Sequence, residues 1–162
     1  MPAAAPAEPS LIVDLPDRDA TRRLARRLAA AARPGDVITL AGALGAGKTT
    51  LTRDFITARA GAAQEVPSPS FTLVQTYEID GETIWHFDLY RLETPEEVVE
   101  IGFEDALDDG IVLVEWPDRL GWLEPPDHLA ITLEQGARPC ARVAHIRAGE
   151  SWTARLADLA DA

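Results

Sequence analysis

A glycine-rich loop between a strand-like run and a helix-like run limits the possible folds of this chain more than any other feature. Residues 37–40 are typical of a short buried strand, the loop spans residues 42–49, and a helix is predicted over residues 49–60. The loop has the spacing Gly-x-x-x-x-Gly-Lys-Thr, which lets successive backbone N–H groups turn around a phosphate. The helix that follows directs its partial positive charge at the same point. The segment therefore predicts a phosphate-binding loop, or P-loop, in an α/β fold.

Two side chains of this loop carry the chemistry that a nucleotide requires. Lys48 is the only lysine in the chain, and arginine supplies the other positive charges. A lysine ammonium is a compact charge that can reach the β and γ phosphates, which a planar guanidinium does not imitate. Thr49 offers a hydroxyl group to Mg²⁺. The loop therefore indicates binding of a magnesium nucleotide.

Two predicted strands end in an acidic residue. Residues 84–87 lead to Asp88, and the apolar run of residues 111–114 leads to Glu115. The carboxyl ends of parallel strands meet at one edge of an α/β sheet, so an acid there can reach a metal ion on Thr49. Glu115 fits this rule best, because a continuously apolar strand is typical of a parallel sheet. The direction of the Asp88 strand depends on the topology, because residues 71–78 and 83–88 predict a hairpin.

The remaining pattern predicts a P-loop NTPase fold, a single three-layer domain with a mixed central sheet flanked by helices. Helices are expected over residues 18–32 and 95–101, and a further segment of residues 103–107 follows the second of them. A strand pair is expected over residues 129–133 and 141–146, and then a terminal helix capped by Ser151. Thr94 is the expected cap of the helix that begins at Pro95. Hydrophobic residues make up 46% of the chain, enough for a core of its own. We expect residues 1–10 to be a disordered tail and residues 11–162 to form the domain.

Composition argues against several classes of function. A net charge of −12 disfavours a protein whose main task is to grip nucleic acid. The arginines of residues 18–33 are therefore interpreted as a solvated helix face, in preference to an RNA or partner contact. Cys140 is the only cysteine, so an intrachain disulfide is impossible. The first ten residues lack the features of a signal peptide, and no apolar run is long enough to cross a bilayer. We expect a cytoplasmic protein.

Five parts of the sequence, taken in order, resemble the TsaE (YjeE) family. They are Thr21, the loop of residues 44–50, the segment 68–74, the motif His-Phe-Asp-Leu-Tyr-Arg of residues 86–91 and the motif Leu-Val-Glu-Trp-Pro of residues 113–117. The resemblance extends from residue 11 to about residue 147. It implies a bacterial P-loop ATPase that is needed to make N6-threonylcarbamoyladenosine at position 37 of tRNAs reading codons that begin with A. It also implies TsaB and the transferase TsaD as partners, with tRNA reached through the complex.

The resemblance also implies roles for individual residues. The residues assigned to the nucleotide are Thr21, Gly42, Leu44, Gly45, Ala46, Gly47, Lys48, Thr49, Thr50 and Trp116. Mg²⁺ is assigned to Thr49, Asp88 and Glu115, and catalysis to Lys48, Asp88 and Glu115. Residues 68–72 are expected to act as a switch-like loop. Ala43 departs from the family, which usually has Asp there, so a role of that carboxylate in turnover is lost here.

Three functions remain open on the sequence alone. The first is an ATPase that hydrolyses slowly alone and faster with TsaB and TsaD, because no internal arginine finger is evident. The second is a small-molecule kinase, and the third is a non-hydrolysing, nucleotide-dependent assembly factor. ATP is expected instead of GTP, because a chain without asparagine cannot carry the Asn-Lys-x-Asp guanine reader. His86 is interpreted as a packed core residue. Arg91 and Arg138 are candidates to neutralise phosphate charge, and for Arg138 a surface position without that role is preferred.

Overall fold

Seven strands form one mixed sheet that carries helices on both faces. The computed structural model describes residues 10–61 and 72–160. Across the sheet the order is β1 (Ser10–Leu15), β7 (Arg142–Ala148), β6 (Leu129–Gln135), β2 (Val37–Ala41), β5 (Ile111–Glu115), β4 (Glu82–Asp88) and β3 (Val74–Ile79). The helices are α1 (Arg18–Ala31), α2 (Lys48–Ala60), α3 (Pro95–Glu100), α4 (Phe103–Asp109) and α5 (Leu156–Ala160), with 3₁₀ segments at Pro117–Leu123 and Glu150–Arg155. The predicted three-layer α/β fold with a mixed sheet is confirmed.

The two faces of the sheet have separate cores because side chains alternate along each strand. In β5, Ile111 and Leu113 pack on the face covered by α1, α2 and α5. Val112 and Val114 pack on the opposite face, beneath α3, α4 and the first 3₁₀ segment. All five residues of β5 are buried, as expected for a central strand of a parallel sheet.

Strand direction brings the two acidic residues to the same edge of the sheet. β2, β4, β5 and β6 run parallel to one another, and β3 is antiparallel to β4. Asp88 pairs with Glu115 in register, and Glu115 pairs with Leu40 at the end of β2. The loop after β2 and both carboxylates therefore lie at the carboxyl edge, where α/β proteins bind ligands.

Local capping explains several element boundaries. The Asp17 side chain accepts a hydrogen bond of 2.8 Å from the Ala20 N–H at the start of α1. Thr94 caps α3 as predicted, with Pro95 at the first helical position. The prediction that Ser151 caps the terminal helix was wrong. Gly149 precedes the second 3₁₀ segment, and the Ser151 hydroxyl lies 3.0 Å from an Asp127 carboxylate oxygen, to which it donates.

One strand was not predicted from the sequence, and two predicted segments cannot be compared with the structure. Strand β1 was not anticipated; it begins at Ser10, the last residue of the expected tail, and pairs antiparallel with β7. The tail residues 1–9 and most of the expected switch-like loop, residues 68–71, lie outside the described residues. Within the described ranges, every helix is too short or too polar to cross a membrane.

Candidate nucleotide-binding site

The glycine-rich loop follows β2 directly and ends where α2 begins. Gly42 has a φ of 145°, and a Cβ there would lie 2.6 Å from the Leu133 carbonyl oxygen, so a side chain is excluded. Gly47 has a φ of 103°, a left-handed conformation that glycine adopts without a steric penalty, and it caps α2. The chain therefore turns sharply enough for the first turn of α2 to face the hollow of the loop.

Lys48 is held inside this loop. Its side chain is buried, and its Nζ donates to the carbonyl oxygens of Gly42 at 2.5 Å and Ala43 at 2.9 Å. The Trp116 ring lies beneath the ammonium, with its centroid 4.2 Å from Nζ. Burial lowers the pKa of Lys48, and the negative charges of Glu115 and Asp88 oppose that shift. The charge is thus fixed in place by the carbonyl groups and the aromatic ring.

Glu115 joins the loop to the neighbouring strands through both carboxylate oxygens. The Thr49 hydroxyl donates to Oε1 at 2.8 Å, and His86 Nε2 lies 2.6 Å from Oε2. His86 is fully buried, as its interpretation as a core residue requires, and no described residue pairs with its Nδ1. A proton on Nδ1 would be a buried donor without an acceptor, whereas a hydrogen on Nε2 has the Glu115 carboxylate as its acceptor. His86 therefore donates to Glu115 and fixes the direction of its carboxylate.

Asp88 lies beside Glu115 but is bound less tightly. One oxygen accepts the Tyr90 backbone N–H at 3.2 Å. Burial raises the pKa of Asp88, and the hydrogen bond from Tyr90 opposes the shift. None of the described residues donates a hydrogen bond to the second carboxylate oxygen, which is therefore available to a cation or to a water molecule.

The oxygen atoms of Thr49, Asp88 and Glu115 are hard ligands of the kind that Mg²⁺ prefers. Across residues 10–61 and 72–160, no cluster of three or more acidic, histidine or cysteine side chains is placed to hold a metal ion. Mg²⁺ sites in nucleotide enzymes rely on one or two carboxylates together with phosphates and water. The donor set therefore fits Mg²⁺ bound together with a nucleotide better than a cage built of protein alone.

Most of the predicted site residues share one continuous hollow. A cavity of about 310 Å³ is lined by Leu44, Gly45, Gly47, Lys48, Thr49, Thr50, Asp88, Tyr90, Glu115, Trp116 and Arg142. It adjoins a smaller cavity of about 90 Å³, which Thr21 and Ala46 line, and the two share Gly47, Thr50 and Arg142. Gly42 lines neither cavity but supplies the carbonyl that binds Lys48. A larger cavity of about 620 Å³, between α1, α2 and the β3–β4 hairpin, contains none of the predicted site residues.

Trp116 adopts a strained backbone conformation at the end of β5. Its φ of 60° is left-handed, which is rare for a residue with a bulky side chain. Its N–H donates to the Leu40 carbonyl oxygen, and its ring centroid lies 4.9 Å from that of Tyr90. These contacts keep the indole against Lys48, at the wall of the 310 Å³ cavity. The family resemblance assigns Trp116 to the nucleotide but gives no role to Tyr90, which also lines the 310 Å³ cavity.

The main residue that sequence reasoning missed is Arg142. It donates through Nε to the Ala46 carbonyl oxygen at 2.8 Å and through Nη2 to that of Gly45 at 3.2 Å. The candidates from the sequence were Arg91 and Arg138, and neither lines the 310 Å³ or the 90 Å³ cavity. No local signal distinguishes Arg142, because its partners lie almost a hundred positions earlier in the chain.

Comparison with known proteins identifies one family. The family profile described as "Threonylcarbamoyl adenosine biosynthesis protein TsaE" matches residues 15–143. Three curated relatives, all named "tRNA threonylcarbamoyladenosine biosynthesis protein TsaE", illustrate the range. The protein from Rickettsia felis is 42% identical over 120 residues, covering 74% of this chain and 70% of the relative. The Bacillus subtilis protein is 37% identical, and the match covers 71% of this chain and 72% of the relative. The Streptomyces coelicolor protein is 35% identical, and the match covers 81% of this chain and 93% of the relative.

A solved structure extends the similarity to the whole fold. The crystal structure of Bacillus subtilis YdiB superimposes on this chain with a TM-score of 0.79 at 27% identity. The match covers 96% of this chain and 97% of the other. The arrangement of strands and helices is therefore shared from end to end.

Proposed function

The chain belongs to the TsaE family, and we propose that it binds and hydrolyses Mg-ATP in the biosynthesis of threonylcarbamoyladenosine on tRNA. In this proposal it acts at adenosine 37 of tRNAs that read codons beginning with A, together with TsaB and TsaD. The tRNA is reached through that complex, in the cytoplasm. One observation carries the proposal: a buried lysine inside a glycine-rich loop faces two carboxylates at the ends of adjacent parallel strands.

Each site residue has a role that follows from its contacts. Lys48 neutralises charge on the β and γ phosphates, and the N–H groups at the start of α2 bind them. Thr49 and Glu115 would hold Mg²⁺, with the Glu115 carboxylate oriented by His86. Asp88, whose other oxygen accepts the Tyr90 N–H, would offer its second carboxylate oxygen to the same ion. Mg²⁺, when bound, neutralises charge that develops during phosphoryl transfer.

The proposed hydrolysis is slow without partners. Among the described residues, Arg142 is the arginine that lines the 310 Å³ cavity, and its guanidinium already binds carbonyl groups of the loop. It is therefore not free to act as an arginine finger, a residue that contributes about a thousandfold or more in related enzymes. We propose that the TsaB–TsaD pair supplies or aligns the missing group.

ATP is the proposed nucleotide. The guanine reader Asn-Lys-x-Asp requires an asparagine, and this chain has none. Its only lysine belongs to the phosphate loop. The smaller cavity beside Thr21, Ala46 and Thr50 is the proposed place of the nucleoside, because it continues the phosphate cavity.

Reconstitution tests the proposal. Purified TsaB, TsaD, tRNA, threonine, bicarbonate and ATP are combined with or without this chain, and modified tRNA and released phosphate are measured. We expect both signals to depend on this chain and phosphate release to rise when TsaB and TsaD are added. Modification with no phosphate release would favour the non-hydrolysing assembly factor. Phosphate transfer to a metabolite, with no effect on tRNA, would favour the kinase.

Two variants separate binding from hydrolysis. Lys48→Ala is expected to weaken Mg-ATP binding, measured by calorimetry, because the charge at the phosphates is lost. Glu115→Ala is expected to retain nucleotide but to lose phosphate release. If Glu115→Ala hydrolyses ATP at the wild-type rate, Glu115 has no catalytic role.

A further inference from the structure

Arg142 contacts the loop from a position 96 residues after Ala46 in the chain. It is the first residue of β7, and it follows the turn of residues 136–141. Its side chain is half-buried and donates hydrogen bonds to four backbone carbonyl oxygens, those of Gly45, Ala46, Pro139 and Ala141. The guanidinium therefore ties the phosphate loop to the turn between β6 and β7.

The contact with Ala46 fixes the orientation of the next amide group. The carbonyl of Ala46 and the N–H of Gly47 belong to one planar trans peptide, so they point in opposite directions. Because Arg142 Nε holds the carbonyl at 2.8 Å, the Gly47 N–H points away from the guanidinium. Among the described residues no backbone carbonyl accepts from that N–H, and Gly47 lines both cavities. The free donor thus faces the space that an anion would occupy.

The peptide between Ala46 and Gly47 needs an external restraint because the loop around it contains the flexible residues Gly45 and Gly47. Gly45 has a φ of 79° and Gly47 a φ of 103°, and glycine moves between such conformations and others at little cost. The peptide before Ala46 is held on both sides, by Arg142 Nη2 on the Gly45 carbonyl and by the bond from Ala46 N–H to the Ala43 carbonyl. Of these hydrogen bonds, the one from Arg142 Nε to the Ala46 carbonyl oxygen is the one that restrains the peptide after Ala46.

We propose that Arg142 is a positioning residue that locks the Ala46–Gly47 peptide with its N–H toward the phosphates of the nucleotide. This inference rests on the proposed nucleotide site and adds a residue outside its motifs. It explains why the fork of an arginine is used. A planar guanidinium can reach the Ala46 and Gly45 carbonyls at once, whereas a lysine offers a single nitrogen.

The first test compares Arg142→Lys, Arg142→Ala and the control Arg138→Ala, an exposed arginine on the same turn. Mg-ADP affinity is measured by calorimetry and folding by thermal unfolding. We expect both Arg142 variants to bind about ten- to a hundredfold more weakly, the range for losing one well-oriented charge-assisted contact. Arg138→Ala should bind like the wild type. Wild-type affinity in Arg142→Lys would overturn the proposal, because charge alone would then be sufficient.

The second test needs no nucleotide, so it separates this inference from the proposed function. The order parameter of the Gly47 amide is measured by ¹⁵N relaxation in the free wild-type protein and in Arg142→Lys. We expect a rigid value of about 0.85 in the wild type and a value below about 0.6 in the variant. Equal values would overturn the proposal even if Mg-ADP binds. If the wild-type protein binds no Mg-ADP but the Gly47 order parameter still falls in Arg142→Lys, the proposed function is wrong. The positioning of the Ala46–Gly47 peptide by Arg142 is then still supported.

Discussion

At the scale of single residues, the ionised carboxylate of Asp88 lies at a partly buried position that disfavours its negative charge. Burial raises its pKa above the unfolded value, so the folded state binds the proton more tightly. Protonated Asp88 therefore stabilises the folded state at pH values below its unfolded pKa of about 3.9. This stabilisation is lost as the pH rises through the folded pKa. At neutral pH the ionised carboxylate opposes folding, and it is available to a cation.

Asp88→Asn is consequently expected to raise the Tm of the free protein at pH 7, with a smaller gain at pH 4. The same change should weaken Mg²⁺-dependent nucleotide binding, because an amide oxygen is a poorer ligand than a carboxylate. Thermal unfolding at the two pH values and calorimetry with Mg-ADP measure both effects. Asp108→Asn removes an equal charge from an exposed position on α4 and should change neither. A lower Tm for Asp88→Asn at pH 7 would contradict this account of the site.

His86 illustrates a different residue-scale effect, the restraint of a functional carboxylate. Replacing His86 by Leu removes the donor to the buried Oε2 of Glu115 and should cost about 1–3 kcal/mol of unfolding free energy. His86→Gln can still place an N–H near the Nε2 position, so it should recover much of this stability and the Mg²⁺ dependence of nucleotide affinity. Urea unfolding and calorimetry provide the measurements. Equal losses in the two variants would mean that ring packing matters more than the hydrogen bond.

At the scale of elements, one buried ion pair fastens the end of the chain to the sheet. Arg155 Nη1 and Nη2 donate to the two Asp36 oxygens at 2.7 and 3.0 Å, next to the start of β2. Arg155 also donates to the Ala31 carbonyl and stacks on the Trp152 ring, 3.8 Å from its centroid. These contacts hold the second 3₁₀ segment and α5 against α1.

Arg155→Ala is therefore expected to cost about 3–5 kcal/mol of unfolding free energy, because it leaves a buried Asp36 carboxylate uncompensated. The double variant Asp36→Ala with Arg155→Ala should lose less than the sum of the single losses. Urea unfolding of the three variants measures the coupling. Arg147→Ala, at an exposed position of β7, is the control and should change stability little. Additive losses would show that the pair does not act as a unit.

The elements that the sequence predicted are those whose signals are local. The loop before α2, the apolar strand β5 and the Thr94 cap each depend on residues within a few positions of one another. The sequence also predicted that Asp88 and Glu115 could lie close together, on the condition that their strands run parallel. The structure meets that condition, because β4 is parallel to β5. Strand β1 escaped prediction because its six residues become a strand through pairing with β7 at the other end of the chain. Arg142 and the His86–Glu115 bond escaped for the same reason, since both join separate elements.

At the scale of the whole molecule, the site connects much of the sheet. Lys48 and Thr49 lie on α2, Asp88 ends β4, Glu115 ends β5, and Arg142 begins β7. A ligand that bridges these elements binds the folded state and not the unfolded chain, so its binding energy adds to global stability. Because the net charge is −12, a polyphosphate without a metal ion would be repelled by the protein, so we expect this linkage to depend on Mg²⁺.

We therefore expect Mg-ADP at about a hundred times its Kd to stabilise the fold by about 2.7 kcal/mol. For a domain of this size that corresponds to a rise in Tm of about 5–10 °C. Thermal unfolding with Mg-ADP, with ADP plus EDTA, and with Lys48→Ala measures the effect, and only the first should show the full rise. A full rise with EDTA present would argue against the metal. Tight binding by calorimetry without any rise would mean that the site opens independently of the core, contrary to the way its residues are distributed over the sheet.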